Sequence, residues 1–227
     1  MNPSTTGEAM RFRDTDAAQL MTWMDIPPEH EDEFNAWYDK EHLAERVAIP
    51  GFVWARRYQA ADASVRKYLA LYRVGSIDVL ASPAYQNAIE DQSYWSKTNL
   101  DRITNTFRRV MKVDWISGIG TGSYISLIIT NQSVLARATM LSSAEIAKST
   151  PGILGIHGLS PDMHLSTSMP REGSDHRKRT GCIVADAIHR KAATEFRDRL
   201  MEAVPDQIQD GLIFSLMWEL RFEELER

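Results

Sequence analysis

The sequence contains very little cysteine: Cys182 is the single one in 227 residues. One cysteine cannot form an intrachain disulfide, which excludes a disulfide-stabilised scaffold and favours a reducing compartment, so we expect a cytoplasmic protein. A chain of this length buries roughly 70% of its unfolded surface and needs no covalent or metal support for its core. Because Cys182 lies inside an apolar run, we expect an inert core thiol.

Long apolar runs and an excess of positive charge are also missing. No run approaches the roughly 18 apolar residues of a membrane span, and residues 1–16 lack the apolar core of a signal peptide. The 26 basic residues are outnumbered by 31 acidic ones, giving a formal charge of -5. This balance argues against binding to a phosphate backbone. We therefore expect neither a membrane nor a nucleic acid as partner.

The sequence lacks several motifs that would define a reaction. Its six histidines show no metal-ligand spacing, so no metal site is predicted. Gly118, Gly120 and Gly122 precede a strand pattern rather than a helix, which excludes a dinucleotide fingerprint. No G-x-S-x-G nucleophile motif occurs. Any chemistry must therefore depend on histidine, arginine and tyrosine side chains.

The pattern of apolar residues predicts an ordered domain after a flexible arm at 1–16. Residues 17–119 show the order strand, helix, strand, strand, helix, strand. The predicted strands are 18–25, 52–60, 67–74 and 105–117, and the helical segments are 28–48, 77–90 and part of 91–103.

The same order recurs in residues 120–227. The predicted strands there are 123–130, 153–159, 180–188 and 212–222, and the helices are 133–148 and 190–203. The clearest match pairs Ile49-Pro50-Gly51-Phe52 with Thr150-Pro151-Gly152-Ile153, each between a helix and a strand. A period near one hundred residues indicates two copies of a domain, of which the second is degenerate.

This order predicts an α+β protein made of two tandem ferredoxin-like βαββαβ repeats. In each repeat the two helices cover one face of an antiparallel sheet, and the other face must be buried elsewhere. Two such sheets in one chain can bury their open faces against each other. We therefore expect an intramolecular, pseudo-dimeric α/β barrel.

One stretch also resembles a known family. Residues 27–58 contain Trp37-Tyr38, Glu41-His42-Leu43, Pro50-Gly51-Phe52 and Arg57-Tyr58, the pattern of EthD-like members of the dimeric α/β barrel superfamily. Residues 68–88 also fit that group, and the resemblance covers roughly residues 18–116. It implies the barrel fold, in a superfamily of muconolactone-type isomerases, cofactor-free monooxygenases, polyketide cyclases and haem proteins. Membership of a fold does not determine the reaction.

His42 is the first candidate for catalysis. It lies one helical turn from Tyr38 and from Arg46, and an imidazole near the mouth of a barrel can act as a general acid or base. We assign it proton transfer and expect Tyr38 to orient it. The alternative is a histidine that only braces the Pro50-Gly51 turn. The equivalent position in the second repeat is Ser143, so one half alone would be active.

The second strand supplies candidate binding residues. Its period of two places Phe52, Trp54, Arg56 and Tyr58 on one face, which we expect to line the barrel interior. The other face, with Val53 and Ala55, would pack under the helices. Arg56 could then anchor an anionic group and Tyr58 could donate a hydrogen bond. Alternatively, Arg56 reaches solvent at the strand end.

Further side chains could complete a pocket. Trp37 and Trp54 would give it a flat apolar lining, and Tyr72 would either extend it or fill the core. His157 aligns with Arg56 when counted from the Pro-Gly turns, and would project into the barrel opposite it. Two alternatives for His157 are a core histidine and an axial haem ligand.

The sequence thus predicts a cofactor-independent enzyme of the isomerase or lyase type, acting on a small aromatic or lactone-like acid. The catalytic candidates are His42, Tyr38 and Tyr58, and the substrate-binding candidates are Arg56, Trp54, Trp37, Tyr72 and His157. The alternatives are a non-catalytic ligand-binding or stress-response barrel, and a haem-dependent or cofactor-free monooxygenase. Haem is the cofactor expected if one is needed, a homodimer is left open, and loop 160–179 would be a lid or a plain connection.

Overall fold

The computed structural model describes residues 12–13, 15–62, 66–166 and 179–225. Its strands are β1 (Ala18–Asp25), β2 (Phe52–Ala60), β3 (Tyr68–Val74), β4 (Thr104–Gly118), β5 (Tyr124–Thr130), β6 (Ile153–Pro161), β7 (Cys182–Ala187) and β8 (Ile208–Arg221). Its helices are α1 (Glu31–Trp37), α2 (Leu43–Val47), α3 (Pro83–Glu90), α4 (Tyr94–Arg102), α5 (Arg137–Ser149), α6 (Arg190–Ala203) and α7 (Phe222–Leu225). None of the described helices combines the length and apolarity needed to cross a bilayer.

The eight strands form one closed antiparallel barrel in the order β1-β3-β2-β8-β5-β7-β6-β4. The predicted fold class, an α+β barrel closed within one chain, is confirmed. Each half of the chain contributes four adjacent strands, with its own first strand between its third and fourth. The halves meet at two seams, where β2 pairs with β8 and β4 pairs with β6. The exact domain boundary at residues 119 and 120 stays a prediction.

Alternation along the strands separates two apolar layers. On β1, Met21 and Trp23 point into the barrel, whereas Leu20 and Met24 point outward beneath the helices. Tyr72 of β3 also lies in the outer layer. A residue's position in the period of two therefore decides whether it faces the interior or the helices.

A bulge corrects one part of the prediction for β2. The register shifts between Phe52 and Trp54, so Phe52 does not share the inner face. Its ring instead stacks on Tyr85 beneath the helices, with centroids 6.0 Å apart. Val53, expected under the helices, is 43% exposed because the extra residue of a bulge is turned out of the pleat. Ala55 packs in the outer layer as expected.

The segment before β1 is attached to the barrel at Phe12 and Arg13. The Phe12 ring packs edge-on against Trp115 at 5.1 Å, and Arg13 exchanges backbone hydrogen bonds with Ile116. The rest of the predicted arm, residues 1–11 and 14, lies outside the described residues. The same holds for residues 167–178 of the predicted loop 160–179.

Candidate functional site

The helical segment carrying His42 starts at Pro28 and changes pitch in its middle. Pro28 occupies the first turn, where its missing N–H costs nothing, and acidic residues follow near the positive end. Between α1 and α2, residues Tyr38–His42 form a π-helical turn in which the Leu43 N–H bonds to the Tyr38 carbonyl. Such turns are frequent at functional sites.

Two sets of contacts fix this helical segment in place. On one side Glu41 accepts hydrogen bonds from Ser93 and Ser96 at the start of α4, and the Trp37 indole donates to Ser96 at 3.0 Å. On the sheet side Asp39 accepts from Arg57 at 3.0 Å, and from the Trp218 indole of β8 at 2.9 Å. The contacts with α4 and those with the sheet together determine how this helical segment is rotated. They therefore also determine the direction in which the His42 side chain points.

His42 is buried between the helices and the outer face of the sheet. Its ring lies against Trp37 at 4.3 Å and meets Tyr38 edge-on at 4.9 Å. Burial lowers the pKa of His42 well below the ordinary 6.5, and the nearby cations Arg46 and Arg57 lower it further. The free protein therefore holds this imidazole neutral at pH 7, ready to accept a proton but weakly basic.

A cavity of about 330 Å³ opens beside His42, between the helices and strands β1, β3 and β4. Its wall is mostly apolar. The residues that line it are Leu20, Thr22, Met24, Tyr38, His42, Arg46, Tyr72, Tyr85, Ile89, Gln92, Leu100, Ile103, Thr106 and Arg108. We call this space the helix-side cavity. Its volume is near the lower end of the roughly 300–1,000 Å³ of small-molecule sites.

Three residues of the cavity wall have buried polar atoms without a partner. They are Nδ1 of His42 and the hydroxyls of Tyr72 and Thr22, which form no well-aligned hydrogen bond within the described part of the chain, although both hydroxyls lie close to that of Tyr38. Native proteins contain few such atoms, because an unmade buried hydrogen bond costs about 1–3 kcal/mol. Their grouping around one cavity indicates a place where a ligand or water completes the hydrogen bonds.

Arg46 adds a positive charge to this wall. It lies one turn beyond His42, is 5% exposed, and donates to the Ala88 carbonyl at 2.7 Å. Within the described residues it forms no ion pair, whereas the other arginine at this wall, Arg108, is held by the Leu165 carbonyl and the Tyr85 hydroxyl. A buried cation without a paired carboxylate is unusual, and it makes the cavity receptive to an anion.

The tyrosines of the cavity stay protonated. Burial raises the pKa of Tyr38 and, more strongly, that of Tyr72 above the ordinary 10. The Tyr38 hydroxyl faces the Met24 sulfur at 3.7 Å. Both phenols can therefore act as hydrogen-bond donors but not as bases.

The predicted residues of β2 form a different site, at one end of the barrel interior. Trp54, Arg56 and His157 line a cavity of about 280 Å³ there, together with Arg73 and Asp186. We call this space the barrel mouth. Arg56 lies over the Trp54 ring at 4.0 Å and bonds to Glu219 across the β2–β8 seam, and to Thr121 in the connection between β4 and β5. Arg56 thus has carboxylate partners of its own.

The remaining groups at the mouth are also strongly buried. Burial, together with Arg73 and Arg56, lowers the pKa of His157 well below 6.5, so this imidazole is neutral. Tyr58 lies deeper in the barrel, and burial raises the pKa of its hydroxyl above the ordinary range. His157 projects into the barrel near Arg56, as one sequence alternative has it.

The predicted site residues therefore fall into two groups on opposite faces of the sheet. Tyr38, His42 and Tyr72 line the helix-side cavity, with Trp37 packed behind His42. Trp54, Arg56 and His157 line the barrel mouth, with Tyr58 below them. The structure does not bring His42 and Arg56 together, so Arg56 cannot anchor a substrate on which His42 acts. His42 also lies outside the barrel rather than at its mouth.

Sequence reasoning missed three polar residues of these sites. Arg46 carries a visible signal, since it follows His42 by four residues on the same helical face. Thr22 is also detectable, because it shares the outer face of β1 with Leu20 and Met24. Arg73 has no local signal, since a charged residue at the end of an apolar strand is usually solvated.

The second half has no equivalent of His42. Ser143, at the corresponding count from its Pro-Gly turn, is fully buried and donates to the Met140 carbonyl at 2.7 Å. Among the described residues, no three His, Cys, Asp or Glu side chains are grouped so that they could hold a metal ion. Burial raises the pKa of Cys182 to about 12, as expected for an inert thiol.

Comparisons with known proteins extend the fold assignment. No protein-family model matches the chain, and no curated protein matches its sequence. A solved anthrone oxidase-like protein superposes with a TM-score of 0.58 at 9% identity, covering 93% of this chain and 97% of its own. A candidate monooxygenase from Lactobacillus acidophilus gives 0.54 at 10% identity, covering 91% and 97%.

A haem-binding protein from Thermus thermophilus gives a TM-score of 0.53 at 9% identity, covering 96% of both chains. At identities this low the similarity establishes the fold alone. It covers both halves of the chain together, in agreement with the closed strand order. The chain therefore has the fold of the dimeric α/β barrel proteins, closed here within one polypeptide.

Proposed function

We propose that this protein is a cofactor-independent enzyme whose helix-side cavity binds a small ring compound with an acidic hydroxyl or carboxyl group. His42 removes a proton from a ring carbon of the bound compound, and Arg46 holds the enolate or phenolate oxygen on which the negative charge settles. This proposal keeps the proton transfer predicted from sequence and replaces Arg56 by Arg46 as the anionic anchor.

One observation carries the proposal. An apolar cavity of about 330 Å³ has unpartnered polar atoms of His42, Tyr72 and Thr22 on its wall, beside a buried Arg46 with no paired carboxylate in the described chain. An apolar space with a few convergent polar groups suits a ring compound that is mostly hydrocarbon and carries one or two oxygens.

The environment of His42 suits it to remove a proton from such a compound. In the free protein burial and Arg46 oppose protonation of the imidazole. A substrate that becomes an anion beside Arg46 cancels this opposition, because the new negative charge stabilises the imidazolium. The base is therefore strengthened by the charge that its own reaction creates.

Arg46 and the tyrosines complete the arrangement. The Arg46 guanidinium can receive an enolate, phenolate or carboxylate oxygen with a charge-assisted hydrogen bond, which is shorter and stronger than a neutral one. Tyr72 can donate to a second oxygen, since its pKa is raised and its hydroxyl, although close to that of Tyr38, forms no well-aligned hydrogen bond within the described residues. Preorganised donors of this kind stabilise developing negative charge.

The anion has two chemical fates. Return of the proton to another carbon would make the enzyme an isomerase, as the sequence first predicts. Reaction with dioxygen would oxidise a ring CH₂ group to a carbonyl, consuming one O₂ and releasing one water per turnover. The fold similarity to an anthrone oxidase-like protein and a candidate monooxygenase supports the second fate.

Haem fits the described residues less well. The helix-side cavity is of a size for one to three rings rather than a tetrapyrrole. A metal-bound histidine usually donates its second ring nitrogen to a carboxylate or carbonyl, but Nδ1 of His42 has no such partner in the described chain. His157 lies near two cations, Arg56 and Arg73, which lower its pKa. We therefore assign no step to haem.

The proposal is tested with purified protein and a panel of naphthols, hydroquinones, anthrones and aromatic acids. Thermal shift identifies compounds that bind, because a ligand of the folded state raises the apparent melting temperature. Turnover of those compounds is then followed with and without oxygen. We expect oxygen-dependent turnover, with kcat falling about 10²–10⁴-fold in His42→Gln. Arg46→Gln should raise KM as well as lower kcat.

The matched control is His157→Gln, which removes the buried histidine of the barrel mouth and should leave turnover within a few-fold. Turnover in His42→Gln within a few-fold of wild type would refute the proton-transfer role. Tight binding without turnover of any compound would favour the non-catalytic binding alternative. Activity that appears only after haem is added, with a Soret band, would refute cofactor independence. The resemblance to EthD-like proteins stays a prediction, because these assays measure the chemistry of this protein and not its relationship to other proteins.

A further inference from the structure

We propose that the barrel mouth is a second binding site, independent of the helix-side cavity, which takes a small organic carboxylate on Arg73 and His157. Neither residue contributes to the proposed proton transfer. The site lies on the inner face of the sheet, whereas His42 and Arg46 lie on its outer face.

One cation at the mouth, Arg73, has no carboxylate within ion-pair distance in the described chain. Arg56 is paired with Glu219, and its Nη1 lies 3.6 Å from Asp186. Arg73 is 8% exposed, and within the described residues it has no ion pair. Its Nη2 donates to the neutral Gln19 side chain at 2.9 Å, directly across the β1–β3 ladder. A buried guanidinium with only a neutral partner is an anion-binding group.

Two unpartnered nitrogens face this cavity. Nε of Arg73 and Nε2 of His157 are both buried, and neither has a hydrogen-bond partner in the described chain. Both residues line the same cavity and are more than nine-tenths buried. Burial and the neighbouring Arg56 lower the pKa of Arg73 to about 10, and Asp186 and Tyr58 offset them only in part. A lowered pKa is expected of a buried guanidinium that has no anion close to it.

The shape of the mouth favours an organic carboxylate over an inorganic anion. The cavity is about 280 Å³, and its apolar wall includes Trp54 and Ile116. A carboxylate matches the planar fork of a guanidinium, and an attached ring or short chain would cover the apolar wall.

The test is isothermal titration of the full chain with benzoate, run in parallel with inorganic phosphate. We expect saturable binding of benzoate and weaker or no binding of phosphate. Arg73→Gln should weaken benzoate binding at least about ten-fold, since a hydrogen bond to a charged group is lost. His157→Gln should weaken it less. Benzoate could also enter the helix-side cavity, so the titration is repeated in His42→Gln, which weakens binding there; the binding that depends on Arg73 should persist in this variant.

Each outcome decides the proposal. If Arg73→Gln fails to fold, Arg73→Lys serves instead, because it keeps the charge and loses the planar fork, and weaker binding is again expected. Absence of saturable benzoate binding would overturn the site. Loss of binding in His42→Gln with retention in Arg73→Gln would place the carboxylate in the helix-side cavity and overturn it as well. Phosphate binding tighter than benzoate would overturn the choice of an organic carboxylate.

Discussion

The two halves of the barrel share a strand order but differ in what lies between helices and sheet. In the first half, His42 borders a cavity of about 330 Å³. In the second half, the same layer is packed with buried side chains. They are Ile128, Ala144, Ala147, Ile156, Ile183, Ala185, Phe196 and Leu200. One architecture thus supports a binding layer in one half and a packed core in the other.

The difference follows from the sizes of the side chains. The outer layer of the first half contains the large rings of Phe34, Trp37, Tyr38, Tyr72 and Tyr85. Helices α5 and α6 of the second half instead present Ala144, Ala147, Ala192 and Ala193. Small residues allow helices to approach a sheet closely, whereas rigid rings that meet edge to face leave space between them. We infer that the aromatic residues keep the cavity open.

The largest expected effect compares a leucine from each layer. Leu200→Ala in the packed half should lower the free energy of unfolding by about 3–5 kcal/mol, because it leaves a new hole in a dense core. Leu20→Ala, which borders the helix-side cavity, should cost about 2 kcal/mol, because its side chain already faces open space. Urea unfolding of both variants measures this. Equal losses would contradict the contrast between the halves.

A second prediction exchanges the residues that distinguish the halves. Ser143→His places an imidazole in the fully buried position of the second half and should cost about 1–3 kcal/mol by overpacking, without creating a new ligand site. The control is His42→Ser, which should abolish proton transfer but change stability less. Unfolding measurements and the turnover assay check the two together. A stable, active Ser143→His protein in the His42→Ser background would show that the halves are interchangeable.

The third comparison concerns the dependence of stability on pH, to which each half contributes one histidine. His42 and His157 both have pKa values well below 6.5 in the folded chain. Below pH 6.5 the unfolded chain takes up protons at both positions while the folded chain does not. The free energy of unfolding should therefore fall as the pH drops through this range, by up to about 1.4 kcal/mol per pH unit for each histidine.

Single variants separate the two contributions. His42→Gln and His157→Gln should each reduce the slope of the free energy of unfolding against pH below pH 6.5. The double variant should reduce this slope further. None of the three variants should change the slope above pH 7. Urea unfolding between pH 5 and 8 provides the data. An unchanged slope in either single variant would mean that its histidine is protonated in the folded protein.

The sequence predicted most of the fold because its signals are local and repeated. The Pro-Gly turns, the alternation along the strands and the helix spacing each agree with the βαββαβ order. The bulge at Phe52 could not be predicted, because one extra residue in a strand does not change the amino-acid composition in a recognisable way. It alters which face of the sheet a side chain points to only for the residues that precede it. Its effect was confined to Phe52 and Val53, and Trp54, Arg56 and Tyr58 kept the expected inner face.

The site was harder to predict than the fold, although the alternation of strand residues between the two faces of the sheet already separates some of its residues. A helix covering one face of a sheet cannot bring His42 to strand residues that point to the other face, so His42 and Arg56 belong to separate spaces. The lack of a paired carboxylate at Arg46 or Arg73 depends on which residues pack around them in three dimensions. Such long-range pairing cannot be read from spacing along one chain.

The two seams of the barrel also govern how the chain folds. Arg56 and Glu219 meet across the β2–β8 seam although 163 positions separate them in sequence. Contacts between such distant residues form late, since the entropy of closing a long loop must be met first. During synthesis, the edge of β2 that pairs with β8 therefore keeps unpaired backbone N–H and C=O groups until β8 has left the ribosome. That interval, rather than the folded state, is when this chain is most exposed to pairing with another copy.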